Sequence, residues 1–126
     1  MPLVRIALRR GKSPAQLAAL RDGIYQAMRE TFNVPEDDRF ILVSQHDAGE
    51  FDCDPNYLGI ARSDDLVIVQ ITCNSGRTVE QKRALYRSIA EKFSAHPGLR
   101  PEDVFINLVE VAKENWSFGN GIAQYA

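Results

Sequence analysis

Cysteine is scarce in this chain: Cys53 and Cys73 are the only two, and neither stands at a metal-type spacing from His46 or His96. Two ordinary reduced thiols are the expectation, with neither a disulfide framework nor a zinc site. No apolar run approaches the roughly 18 residues of a membrane span, and the first residues lack the charged-then-apolar pattern of a secretion signal. A soluble, cytoplasmic protein is expected. Charge of one sign is also missing: 15 Lys and Arg against 17 Asp and Glu give a formal net charge of -2. That balance lacks the basic excess of a nucleic-acid or anionic-membrane binder. At 126 residues the length prior gives one domain, 1–126, with no room for a separate cofactor domain. Chemistry must come from side chains or chain ends.

What is present is an internal repeat. Val4–Val43 and Val67–Val109 follow the same plan of apolar strand, glycine loop, amphipathic helix, acidic turn and apolar strand. Gly11-Lys12-Ser13 followed by Gln16 recurs as Gly76-Arg77-Thr78 followed by Gln81. Both strings spell a capping box, in which a hydroxyl accepts from a backbone donor and Gln reaches back. Leu20, Ile24 and Met28 return as Leu85, Ile89 and Phe93, the spacing of one buried helical stripe. Pro35-Glu36-Asp37 returns as Pro101-Glu102-Asp103, ahead of strands expected at Phe40–Val43 and Ile106–Val109.

The fold class that follows is α/β (α+β): tandem pseudo-symmetric βαβ units forming a four-stranded mixed sheet with two helices on one face. The halves span 2–46 and 65–111, and a tail covers 112–126. The acidic stretch Asp47 to Asn56 is expected to carry a short strand or a loop excursion. Its Asp52-x-Asp54-x-Asn56 departs from a calcium loop, since Tyr57 replaces the required glycine and Ser63 the closing acid. In the tail, Gly119-Asn120-Gly121 reads as a turn or short hairpin. Gly11-Lys12-Ser13 lacks the distal glycine of a phosphate loop, which leaves Lys12 as an exposed loop cation.

Packing the halves about an approximate two-fold axis, with the first strands antiparallel neighbours, brings three distant residues to one end of the sheet. Pro2 begins strand one, Asp38 precedes the parallel strand two, and Arg77 follows the strand that runs the opposite way. Asp38 aligns with Val104 in the second half, so only one of the two equivalent sites carries an acid. Taken singly, Asp38 reads as a turn residue beside Asp37 and Arg39, and Arg77 as a solvated arginine near a helix start. Taken together, Arg77 and the helix amino terminus form a clamp for a carboxylate. Pro2, freed of Met1, would carry a rigid secondary amine whose protonation answers to burial and neighbouring charge.

Pro2-Leu3, Val34-Pro35-x-x-Asp38-Arg39, Gly76-Arg77-Thr78 and Trp116-Ser117-Phe118-Gly119 together resemble the tautomerase superfamily, in particular its malonate semialdehyde decarboxylase-like group. The resemblance covers nearly the whole chain. It implies catalytic roles for Pro2, Asp38 and Arg77, substrate contacts from Arg77, Trp116, Phe118 and Tyr125, no cofactor or metal, and a homotrimer. One departure is that Cys73-Asn74-Ser75-Gly76 supplies no second arginine in the loop before helix two. Trp116 and Phe118 also fit simple core packing. The implied activity is a cofactor-independent decarboxylation of a small 3-oxo acid such as malonate semialdehyde. Keto–enol tautomerisation of a 2-oxo acid such as phenylpyruvate, hydration of an unsaturated acid, and a non-catalytic binding module are the alternatives.

Overall fold

The computed structural model describes residues 2–126. Its main elements run β1 (Leu3–Arg9), α1 (Pro14–Phe32), β2 (Ile41–His46), β3 (Val67–Asn74), α2 (Val79–Ala95) and β4 (Val104–Val111). The sheet order is β2-β1-β3-β4. β1 and β3 are antiparallel in the centre, and each is flanked by its own parallel partner. This is the tandem βαβ arrangement expected from the repeat.

Alternation along the central strands decides which face is covered. Val4, Ile6 and Leu8 on β1 and Val67, Val69 and Ile71 on β3 all point inward and are buried. They meet Leu20, Ile24 and Met28 of α1 and Leu85, Ile89 and Phe93 of α2, so both helices lie on one face. Each such side chain contributes about 1.5–3 kcal/mol on leaving water. The helices also touch each other: a Cβ on Gly23 would come 3.3 Å from the Phe93 ring, and Glu30 reaches Lys92 at 3.1 Å. The opposite face carries Arg5, Ser44, Gln70 and Asn107, and the loop after β2 reaches one end of it, where Phe51 packs on His46 and Arg9.

Both helices begin as the repeat spells them. Ser13 Oγ accepts from the Gln16 amide (3.2 Å) while the Ser13 amide donates to Gln16 Oε1 (2.8 Å). Thr78 and Gln81 repeat the pair at 3.1 and 3.0 Å. The turn ahead of each cap needs glycine, since Gly11 has φ 130° and Gly76 φ 128°, a region closed to most side chains.

One local reading changes and two resolve to the loop and turn among their alternatives. The outer strands run further than their apolar cores, because β2 and β4 continue to His46 and Val111 as long as a central strand can bond them. The stretch from Asp47 contains no strand: it forms 3-10 turns at Ala48–Glu50 and Tyr57–Gly59, the first closed by the Asp47 amide donating to Glu50 Oε1. In the tail, Gly119, Asn120 and Gly121 all take positive φ and make a turn without hairpin strands.

Candidate active site

The antiparallel register sets Leu3 opposite Thr72, and the parallel one sets Val4 opposite Ile41. The Val4 amide donates to the Phe40 carbonyl at 2.9 Å. The start of β1, the approach to β2 and the end of β3 therefore meet at one end of the sheet. Pro2 is buried there. It lines a pocket of about 220 Å³ together with Leu3, Phe40, Trp116, Ser117 and Phe118.

The wall of this pocket is aromatic. Trp116 and Phe118 stack with ring centroids 5.3 Å apart and planes 19° from parallel. Tyr125 meets Phe118 edge-on at 4.9 Å and backs the wall without lining the pocket. Trp116 Nε1 donates to Asn74 Oδ1 at 2.7 Å.

Arg77 stands just before the Thr78 cap, two positions ahead of the first helical residue, Val79. Its guanidinium packs 4.8 Å above the Phe32 ring, and Nη1 donates to the Asn74 carbonyl at 3.2 Å. Neither Arg77 nor Asp38 lines the Pro2 pocket; Arg77 is linked to its wall through Asn74. The Gln81 amide is already taken by Thr78, so the helix end has less to offer an anion than its sequence suggested.

Asp38 is half-buried, and its amide closes the turn on the Pro35 carbonyl at 3.2 Å. Burial pushes its carboxyl above the usual range, Asp37 adds to that, and the positive charge of Arg77 opposes it. Cys73, wholly buried beneath the same end, has its thiol pushed up by desolvation; it is poorly suited to act as a nucleophile.

The corresponding end of the first repeat is built differently. Lys12 is no exposed loop cation: its side chain is 14% exposed and pairs with Asp65 at 3.1 Å. Arg9 faces Asp64 at 3.8 Å beside it. The cavity at that end is lined by Arg9, Arg10 and Lys12 together with Asp64 and Asp65, and Val104 stands where the first site has Asp38.

Phe40 and Asn74 are site residues that sequence reasoning missed. The apolar pattern puts Phe40 at the start of a strand, and its place in the wall depends on the tail folding back over it. Asn74 carried no sequence signal beyond not being arginine. The expected loss of Met1 concerns a residue outside the described ones. Among the described residues no group of three or more His, Cys, Asp or Glu gathers to hold a metal ion, and no helix is long and apolar enough to cross a membrane.

Comparison with known proteins agrees with this geometry. A family model described as tautomerase enzyme matches residues 38–119, and a second of the same description matches residues 2–60. The probable tautomerase YusQ of Bacillus subtilis (strain 168) is 49% identical over 124 residues, 98% of each chain. A crystal structure of malonate semialdehyde decarboxylase, a protein with decarboxylase and hydratase activities, aligns with TM-score 0.91 and 35% identity over 98% of this chain and 95% of its own. The FG41 malonate semialdehyde decarboxylase, crystallised inhibited by 3-bromopropiolate, gives 0.90 and 36% over 98% and 93%. The chain belongs to the tautomerase superfamily of enzymes, and within it to the malonate semialdehyde decarboxylase-like group.

Proposed function

We propose that the protein decarboxylates a small 3-oxo acid of the malonate semialdehyde type, using the amine of Pro2 once Met1 is removed. The observation that carries this reading is the buried Pro2 in an aromatic pocket whose wall is tied, through Asn74, to Arg77. Arg77 holds the substrate carboxylate. Protonated Pro2 donates a hydrogen bond to the 3-oxo oxygen. As the carbon–carboxylate bond breaks, its electron pair passes into an enolate stabilised by that proton, and carbon dioxide leaves. Protonation at carbon then gives the aldehyde. Asp38, when ionised, favours the protonated amine, while the apolar wall favours conversion of a charged carboxylate into neutral carbon dioxide. A single guanidinium suits a substrate with one carboxylate.

A second reading rests on the same wall. Desolvation by Phe40, Trp116 and Phe118 disfavours a cationic amine, and a neutral Pro2 would act as a base for keto–enol tautomerisation of 2-oxo acids such as phenylpyruvate. A panel of 3-oxo and 2-oxo acids, followed for carbon dioxide release and for enol loss, separates the two. Turnover of neither class would overturn both.

The assembly belongs to the proposal as well. β2 and β4 are edge strands, and their faces away from the helices expose Leu42, Phe105 and Val109, a combination that favours self-association. The count of three rests on the resemblance to trimeric relatives. Light scattering giving a monomer at micromolar concentration would overturn it.

A further inference from the structure

The tail is held to the rest of the molecule by very little. Among the described residues, the hydrogen bonds of 116–126 are local: the Phe118 amide to Gln124 Oε1 and Gln124 Nε2 to the Gly119 carbonyl, both 2.9 Å, and the Ile122 and Ala126 amides to the Gly119 and Ala123 carbonyls. The exception is Trp116 Nε1 donating to Asn74 Oδ1. Apolar packing adds to that bond only in part, since Trp116 is half-buried while Phe118 and Tyr125 remain 36% and 47% exposed. An indole N–H can only donate, so the bond also fixes which way the Asn74 amide faces. The same residue offers its carbonyl to Arg77. Asn74 ends β3, and the next amide, that of Ser75, donates to the Val111 carbonyl at 3.0 Å. Its backbone is therefore anchored in the sheet while its side chain and carbonyl reach the two halves of the site.

We propose that Asn74 is a positioning residue that fastens the aromatic wall of the tail to the strand end bearing Arg77, so that the Pro2 pocket and the carboxylate-binding cation form one site. Its catalytic meaning rests on the function proposed above; its fastening role does not. The stack carries the effect outward, from Trp116 to Phe118 and from Phe118 to Tyr125.

The chain has a single tryptophan, so intrinsic fluorescence reads this bond directly. Asn74→Leu should red-shift Trp116 emission and increase its quenching by acrylamide, with little change in melting temperature. Asn74→Asp keeps an acceptor and should restore the wild-type emission. On the best oxo acid found, Asn74→Leu should raise KM roughly two- to tenfold, the range of one lost hydrogen bond, with a smaller effect on kcat. In a Trp116→Phe background, which has already lost the donor, the same substitution should add almost nothing to KM. Unchanged quenching in Asn74→Leu, or effects of Asn74→Leu and Trp116→Phe that simply add, would overturn the proposal. Absence of turnover by the wild-type protein would instead overturn the functional reading, while the fluorescence comparison would still decide the fastening.

Discussion

Lys12 Nζ lies 3.1 Å from Asp65 Oδ1, at the place in the first repeat that Arg77 holds in the second. One cation has an internal carboxylate, and the other packs on the Phe32 ring and donates to a backbone carbonyl. The duplicated fold thus has two similar ends with different charge balance.

This difference predicts opposite outcomes for two similar substitutions. Arg77→Ala should lose about 2–4 kcal/mol of transition-state stabilisation on a carboxylate substrate, with a minor loss of melting temperature from the Phe32 contact. Arg77→Lys should recover only part, because an ammonium lacks the planar fork. Lys12→Ala should leave kcat/KM unchanged and cost about 0.5–1 kcal/mol of stability. Steady-state kinetics and thermal melts of the three variants check this. Impaired turnover in Lys12→Ala equal to that in Arg77→Ala would remove the carboxylate role from Arg77.

Protein that keeps Met1 should be inactive yet folded. The Pro2 nitrogen is then an amide, neither a base nor a cation, whereas the sheet and helices do not depend on it. Mass spectrometry of the amino terminus, paired with turnover of the same preparation, is the measurement. Full activity in Met1-retained protein would exclude the Pro2 amine.

Asp38→Asn should trade activity for stability, with a defined pH dependence. Burial raises the Asp38 pKa from 3.8 in the folded state, so the folded protein holds this proton more tightly than the unfolded chain. Stability from that proton is fully present below the unfolded value and declines as pH rises through the raised folded value. The asparagine variant lacks this decline. Its advantage in denaturant midpoint should be absent in acid, grow across that window and persist at neutral pH, while turnover falls. A constant difference at all pH values would show that ionisation of Asp38 is not the cause.

Asp103 should behave as a purely structural acid. It is 1% exposed and accepts from the Ser63 amide at 2.7 Å and the Ser63 hydroxyl at 2.6 Å. Asp103→Ala would leave those donors short of a partner, at a cost of about 1–3 kcal/mol, with kcat/KM preserved in the protein that remains folded. Urea denaturation with parallel kinetics tests both halves of the statement.

Local spacing carried most of the architecture. Ser13 with Gln16 and Thr78 with Gln81 announced both helix starts, the Leu20-Ile24-Met28 and Leu85-Ile89-Phe93 stripes announced the buried faces, and the glycines before each cap marked turns. These signals are readable because helix and strand periods and capping distances are short-range. The repeat then constrained the topology, since duplicated βαβ units have few ways to share one sheet. That was enough to bring Pro2, Asp38 and Arg77 to one end.

Tertiary structure decided what each residue meets there. Lys12 and Asp65 lie far apart in sequence, so their pairing depends on β1 and β3 being neighbours. Asn74 became the junction between Arg77 and Trp116 only once the tail folded over the end of β3, and Phe40 became pocket wall by the same event. The elevated carboxyl of Asp38 is likewise a consequence of burial. Sequence by itself determined the elements, their order and the meeting of a proline, an acid and a guanidinium at one end of the sheet. Side-chain contacts across strands and from a non-repetitive tail depend on packing in three dimensions, for which no local period exists.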